Sequence, residues 1–371
     1  MSLSLFKAKS KLGIDIGTSS IKIVELEKEG GRFTLINYGL FELKSISTNT
    51  TSSKPEDRLG RSGAIMKLPD EEIIRGIREI LKKADMKSKD VVASIPSFST
   101  FATVIEMPYL SGEDLAKSIQ FESKKYIPIP VNDVVMDWSI IEVLNQDGKG
   151  PKKENTGKES PSTVEIFLAA VSREETVRYQ NMMKELGLNL RALELENSAL
   201  IRALIGNDLS PMAIVNIGGR STSITIVNKG YERISHNYEI GGFEITKSIA
   251  RSLNVSIEKA DELKMKFGLK EGDENVINES MVSLIDMMAF ETRKTIANYE
   301  ESKNQKISKI LLVGGVANIP YFIEYFKKKL GRDIYPGGPF SRVTYPPELA
   351  PAIPNLSNMV AVAIGLSMRE I

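Results

Sequence analysis

Residues 13–24 read GIDIGTSSIKIV and residues 214–227 read IVNIGGRSTSITIV. Each is a β-branched run, a glycine turn with hydroxyls, and a second β-branched run. A phosphate-binding glycine loop of the P-loop or dinucleotide kind opens a helix, whereas here Ile21, Ile23, Val24 and Leu26 continue as a strand. The unit is therefore a β-hairpin. Its tip can converge backbone amides, because the glycines carry no Cβ, and its hydroxyls can donate to phosphate oxygens. Asp15 ends the first strand of one hairpin and Asn216 stands at the same place in the other, 201 residues later. An offset longer than half the chain predicts two lobes built on one plan, each presenting a turn to a shared cleft. Either hairpin alone reads equally well as a plain turn with a solvated polar residue.

Working outward, strands are expected at Leu12–Ile16, Ile21–Glu27, Val91–Ile95, Val164–Val171, Ala213–Ile217, Ile224–Val227 and Ile310–Val313. Helices alternate with them. Residues 69–85 put Ile73, Ile74, Ile77, Ile80, Leu81 and Ala84 on one face behind a first-turn Pro69. Ser111 with Asp114, and Ser172 with Glu175, have the Ser-x-x-acid spacing of capped starts, and Gly187 should stop the second helix. A long helix is expected from Glu274 to about Lys303, with Met281, Ile285, Met288 and Ile296 in its buried stripe. The order is that of an α/β protein. Residues 145–163 (NQDGKGPKKENTGKESPST) hold no large apolar side chain, and 45–63 are nearly as polar; both read as exposed loops. A third glycine turn, Leu312-Val313-Gly314-Gly315-Val316-Ala317, follows a strand and could bring backbone close to a flat ring.

Composition removes several chemistries. The 371 residues include 49 Lys+Arg and 48 Asp+Glu, a formal charge of +1, which argues against a protein devoted to nucleic-acid backbone. With no cysteine, thiol nucleophiles, disulfides and thiolate metal sites are excluded. The single histidine, His236, is given no role and leaves little room for a Ser-His-Asp triad. No stretch has signal-peptide or membrane-spanning character, so a cytoplasmic protein without direct membrane insertion is expected.

Three such turns in this order resemble the actin-like ATPase superfamily, which includes actin, sugar kinases, heat-shock chaperones and the division protein FtsA. Within it, KLGIDIGTSSIKIVEL, IEMPYLSGEDLAKSIQFESKKYIPIP, IGGFEITKSIARSLNVSIEKADELK, LLVGGVANIPYF and AVAIGLSMRE resemble the PilM family of type IV pilus machines, on the FtsA-like branch. The resemblance implies a two-lobed fold of duplicated ribonuclease-H-like lobes with an FtsA-like inserted subdomain. It divides the chain into a first lobe (1–90 and 172–210, with a C-terminal helix 355–371), an inserted subdomain (91–171, with a mobile loop 145–163) and a second lobe (211–354). It implies ATP and Mg²⁺ as ligands. Asp15 would hold Mg²⁺ through water, Gly17, Thr18 and Ser19 the phosphates, and Lys22 a phosphate oxygen. Gly218 and Gly219 would meet the β- and γ-phosphates, while Gly242, Gly314 and Gly315 would line the nucleoside. Asp261 and Lys264, at i and i+3 on one helix, would reach ribose and adenine, although that spacing also suits an ordinary surface ion pair. Glu196, in Glu196-Asn-Ser-Ala199, resembles the Glu-x-x-Ala that positions an attacking water, and could instead pair locally.

Two departures matter. Asn216 stands where the superfamily usually has Asp, and Asp261 where FtsA-like proteins usually have Glu. Losing a carboxylate beside a metal harms hydrolysis more than binding, so slow or absent turnover is expected. The family further implies a scaffold: a short N-terminal cytoplasmic peptide of the inner-membrane protein PilN docks where the inserted subdomain meets the first lobe, with pilus motor ATPases, the platform protein and self-association as further contacts. Tyr126-Ile-Pro-Ile-Pro130 could help shape that groove, though a core role is preferred for most of it. A division-type tether would need an amphipathic helix beyond the fold, and Met368-Arg-Glu-Ile371 reads as the end of a structural helix. A small-molecule kinase would need an acceptor-specific carboxylate base, and no motif supplies one.

Overall fold

The computed structural model describes residues 10–43, 69–127, 129–144, 163–270 and 276–370. The expected loops lie outside these residues, at 45–63 and, except for Thr163, at 145–163. Strands β1 (Ser10–Ile16), β2 (Ser20–Glu29) and β3 (Arg32–Glu42) form an antiparallel meander, followed by α1 (Asp70–Lys83) and β4 (Asp90–Ile95). An excursion then runs through β5 (Thr100–Pro108), α2 (Gly112–Glu122), β6 (Val134–Leu144), β7 (Thr163–Ser172) and α3 (Arg173–Glu185) before β8 (Asn189–Leu195) and α4 (Glu196–Leu204). The second half repeats the opening with β9 (Met212–Ile217), β10 (Thr222–Asn228) and β11 (Tyr231–Tyr238), then α5 (Gly242–Leu253), α6 (Ile257–Phe267) and α7 (Val276–Lys303). It closes with β12 (Lys309–Val313), α8 (Phe322–Leu330), β13 (Tyr335–Pro336), β14 (Val343–Thr344) and α9 (Ile353–Ser367).

The sheets answer the duplication directly. The first runs β14-β3-β2-β1-β4-β8 and the second β11-β10-β9-β12-β13. From β1 and from β9 alike, two strands joined by antiparallel pairing follow on one side and two joined by parallel pairing on the other, with β14 added beyond β3 in the first sheet. A third sheet, β5-β7-β6, stands apart with α2 as its cover and its own core of Ile105, Met107, Leu115, Ile119, Ile166 and Leu168. Two expected boundaries move. Residues 90–95 belong to the first sheet, not to the inserted unit, because β4 pairs with both β1 and β8. Residues 343–344, assigned to the second lobe, pair with β3 of the first.

Local signals explain most elements. Helix α1 has Asp70, Glu71 and Glu72 in its first turn and Lys82 and Lys83 in its last, complementing the helix dipole. The starts at Ser111 and Ser172 are where the spacing puts them, but neither serine accepts a backbone N–H; Ser111 Oγ donates to Asp114 Oδ2 at 2.7 Å instead. Helix α3 does end before Gly187, which takes φ +67°.

Two helices join the lobes. Ala199 and Leu200 of α4 and Ala361, Val362 and Leu366 of α9 share one core with Val92 of the first sheet and Met212, Ile214 and Val313 of the second. The fit is backbone to backbone. A Cβ at Gly365 would lie 1.9 Å from the Ala199 carbonyl oxygen, and one at Gly13 of β1 would lie 2.0 Å from the Ala363 carbonyl oxygen. Gly365→Ala must therefore spread α4 from α9. It should destabilise the fold by about 3 kcal/mol, at the upper end of overpacking costs. Urea unfolding should show a lowered midpoint, whereas Gly112→Ala, with nothing within 4 Å, should leave it nearly unchanged.

Candidate functional site

The two turns fold alike. Gly17 N–H donates to the Ser20 carbonyl at 3.1 Å, and 201 residues on, Gly218 N–H donates to the Ser221 carbonyl at 2.9 Å. They also touch: a Cβ on Gly219 would fall 2.1 Å from Ser19 Oγ. The half-buried Thr18 and the exposed Ser19 sit at the first tip. Glycine at 219 is thus required by close approach of the second lobe to the first.

Charge gathers on the first-lobe side. Asp15 is buried, accepts from Ser94 Oγ at 3.1 Å, and pairs with Lys22 Nζ at 3.2 Å, the residue facing it in the hairpin register. Glu196, the first residue of α4, accepts from Ser97 N–H at 3.1 Å and Ser97 Oγ at 3.2 Å. Burial, and then the negative charge of Asp15, push the Glu196 carboxyl up to about 7, against the opposing effects of Ser97 and Lys22. A carboxyl poised near neutrality beside a carboxylate–ammonium pair can accept and return a proton. Ser94 and Ser97 escaped the sequence reading; their one signal is a polar Ser94-Ile-Pro-Ser97 run closing an otherwise apolar strand.

The second-lobe side lacks a carboxylate at its turn. Asn216 replaces the carboxylate, and the counterpart of Lys22 is Ser223, whose buried Oγ has no hydrogen-bond partner among the described residues. Gly242 N–H and Phe243 N–H donate to the Gly218 and Gly219 carbonyls at 3.0 and 2.7 Å, tying the start of α5 to the second turn. Lys264 is buried, donates to Thr246 Oγ1 at 2.7 Å and pairs with Asp261, which stays mostly exposed. Its Nζ lies 4.0 Å from where a Gly242 Cβ would be, and Val316 of the third turn lies 3.0 Å from the same point. Gly314, at φ +98°, donates to the Asn358 carbonyl of α9 at 2.8 Å, and Gly315 faces open space. Gly218, Gly242, Lys264 and the third turn therefore converge, with Asp261 at their rim and Thr246 as a bridge that the sequence did not single out. His236 lies elsewhere, 3.5 Å from Glu291.

These residues suit a nucleotide. Among the described residues, no three His, Asp or Glu side chains are grouped to hold a metal ion by themselves. One carboxylate near phosphate-sized turns is the arrangement magnesium uses when phosphates and water complete its shell. Asp15 is the residue that would hold it.

A second feature lies behind α4. A cavity of about 350 Å³ opens between Ser139 and Phe167 of the third sheet, Ser198, Ile201 and Ile205 of α4 or its end, and Tyr231 and Glu232 of β11. It sits where the inserted sheet meets α4 and β11 of the second lobe, and Tyr126, Ile127, Ile129 and Pro130 do not line it. Nor is that segment mostly core: Ile127 is buried, while Tyr126 and Ile129 are exposed.

Residues 13–371 match the family described as type IV pilus assembly protein PilM. Cell division protein FtsA of Enterococcus faecalis is 24% identical over 276 residues, 69% of this chain and 58% of that protein, so the chain spans less than two thirds of its length. FtsA of Bacillus subtilis is 22% identical over 322 residues, 81% of this chain and 68% of that protein. Among solved structures, a PilM–PilN type IV pilus biogenesis complex matches with TM-score 0.76 at 20% identity, over 97% of this chain and 98% of that one. MreB5 of Spiroplasma citri bound to AMPPNP matches with TM-score 0.51 at 12% identity, over 96% and 94%. At these identities the structural likeness is one of fold, the actin-like fold that the repeated hairpins imply. Among the described residues no helix is long and apolar enough to cross a membrane.

The raised Glu196 value has a consequence for stability. Between pH 4.5 and about 7 the unfolded chain gives up this proton while the folded chain keeps it, so rising pH costs stability across that window. Glu196→Gln should remove on the order of 1–3 kcal/mol of that loss. Urea midpoints of both proteins at pH 5 and pH 8 check it: the variant should gain on the wild type at pH 8, and a pH-independent difference would refute the assignment.

Proposed function

The chain belongs to the type IV pilus assembly protein PilM family, and from that premise we propose that it is an ATP-binding scaffold that holds the cytoplasmic N-terminal peptide of PilN. One observation carries the proposal. Helix α4 places Glu196 beside Asp15 and Lys22 at its first turn, while Ser198, Ile201 and Ile205 wall the second cavity. A single helix thus borders both the nucleotide cleft and the cavity that the inserted sheet forms with α4 and β11. The solved PilM–PilN complex supports the partner, and the nucleotide-bound MreB5 structure supports the ligand.

In this reading the backbone amides of the two turns cradle phosphates, Lys22 offers its ammonium to a phosphate oxygen, and Asp15 orients magnesium-bound water. Lys264 and Asp261 meet the nucleoside from α6, and Gly315 leaves room for its ring. Glu196 can accept a proton from water. The absence of a carboxylate at 216 weakens hydrolysis more than binding, since amides hold phosphate without a charge there. Docked on PilN, the protein sits at the inner face of the membrane and presents its remaining surface to the pilus motors.

Titration with ATP and Mg²⁺ should show binding that Asp15→Ala weakens tenfold or more, about 1.4 kcal/mol at least. Asn216→Asp should raise steady-state phosphate release above that of the wild type. Equal ATP affinity in wild type and Asp15→Ala would remove the cleft assignment. For the partner, Ile201→Glu should abolish binding of a synthetic PilN N-terminal peptide and leave ATP affinity unchanged; unimpaired peptide binding would place the partner elsewhere.

A further inference from the structure

Glu232 has no role in the nucleotide cleft, and its surroundings are unusual. It is 5% exposed, its Oε2 has no hydrogen-bond partner among the described residues, and it forms part of the wall of the 350 Å³ cavity. A β-bulge sets it there. Ile226 pairs with Ile234 but Val227 with Glu232, so Arg233 is the extra residue of β11. Bulges re-aim side chains, and here the adjacent Arg233 turns to the inserted sheet while Glu232 faces the cavity.

Neither neighbouring guanidinium compensates it. Arg233 pairs with Glu142 at 3.0 Å and with Glu165. Arg202, on the cavity wall, pairs with Glu194 and donates to the Gly365 carbonyl at 2.7 Å. Burial pushes the Glu232 carboxyl up to about 7, with Asn197 opposing, as expected for a charge without a counter-ion. A buried acceptor left without a partner is costly, and a cation brought to it gains correspondingly.

We propose that Glu232 is the recognition group of this cavity and takes the basic side chain, arginine or lysine, of a docked extended peptide. The wall suits such a side chain. Phe167, Ile201 and Ile205 offer apolar surface to the methylene stem, and Glu232 meets the charged head. Ser139 lies on β6, which ends the third sheet among the described residues, and that edge can pair with the main chain of an extended segment. A bare metal ion would find a single carboxylate and too few ligands. The natural occupant rests on the peptide-docking reading above; the recognition chemistry does not.

The test titrates the full chain, wild type and Glu232→Gln, with the blocked tripeptide Leu-Arg-Leu and with its citrulline counterpart, which keeps the shape and removes the charge. Methyl resonances of Ile201 and Ile205 report binding at the cavity, and thermal melts confirm that the variant folds. The arginyl probe should shift both resonances saturably, and the citrulline probe and Glu232→Gln should each weaken it tenfold or more. Equal binding of the two probes, equal binding by the variant, or no shift with any probe overturns the proposal. The PilN N-terminal peptide is titrated into wild type separately: its failure to bind, with the arginyl probe still discriminating, sinks the partner and leaves the Glu232 site standing.

Discussion

The crossing of α4 and α9 is the contact on which the other sites depend. Because Gly365 presents no side chain to the Ala199 carbonyl, the two helices meet at backbone distance, and both sheets close on them. From that seat α4 delivers Glu196 toward Asp15. Helix α9 offers the Asn358 carbonyl to Gly314, fixing the third turn of the opposite lobe. Its Ser367 hydroxyl bonds the Val24 carbonyl at 2.9 Å, tying its end to the first hairpin. The relative position of the two glycine turns, down to Ser19 against Gly219, follows from packing that lies outside the cleft.

Duplication gave two equivalent turns, and side chains then made them unequal. One lobe keeps the Asp15–Lys22 pair; the other has Asn216 and Ser223 at the matching positions. The backbone part of a phosphate site survives such changes because it rests on φ and ψ and on the absence of Cβ. The electrostatic part does not. The carboxylates beside the turns therefore lie on the first-lobe side, and the second lobe has Arg220 at its turn, a buried Lys264 and open backbone at Gly315.

The inserted sheet is attached by a different kind of contact. Glu142 and Glu165 stand opposite each other on β6 and β7, a like-charge pair that would weaken the sheet in isolation. Arg233 of the second lobe enters between them, with Lys229 and Lys303 adding to the cluster. Although burial pushes Glu142 up, Lys229 and Arg233 hold its carboxyl below the usual range. The sheet is thus completed by a cation from elsewhere, and the cavity that it borders on α4 depends on this attachment.

Much was legible along the chain because its cause is local. Hairpin tips announce themselves through glycine and hydroxyls between β-branched runs, and all seven expected strands are present, each extended by one or two residues at one or both ends. The duplication was readable because two hairpins kept their spacing of glycine and polar residues. Other features depend on distant partners and leave no local mark. Ser94 and Ser97 matter only because β4 ends beside Asp15 and Glu196, and residues 343–344 join the first sheet because β3 offers them an edge. Tyr126 and Ile129 look like core by composition but lie outside it. The uncompensated charge of Glu232 exists only because a bulge turns Arg233 away and Glu194 engages Arg202. The sequence by itself determined the two hairpins, their repetition and their turns, since these follow from period and backbone freedom. Tertiary structure alone decided which charges meet and which are left unmatched, because electrostatic pairing acts across space between residues far apart in the chain.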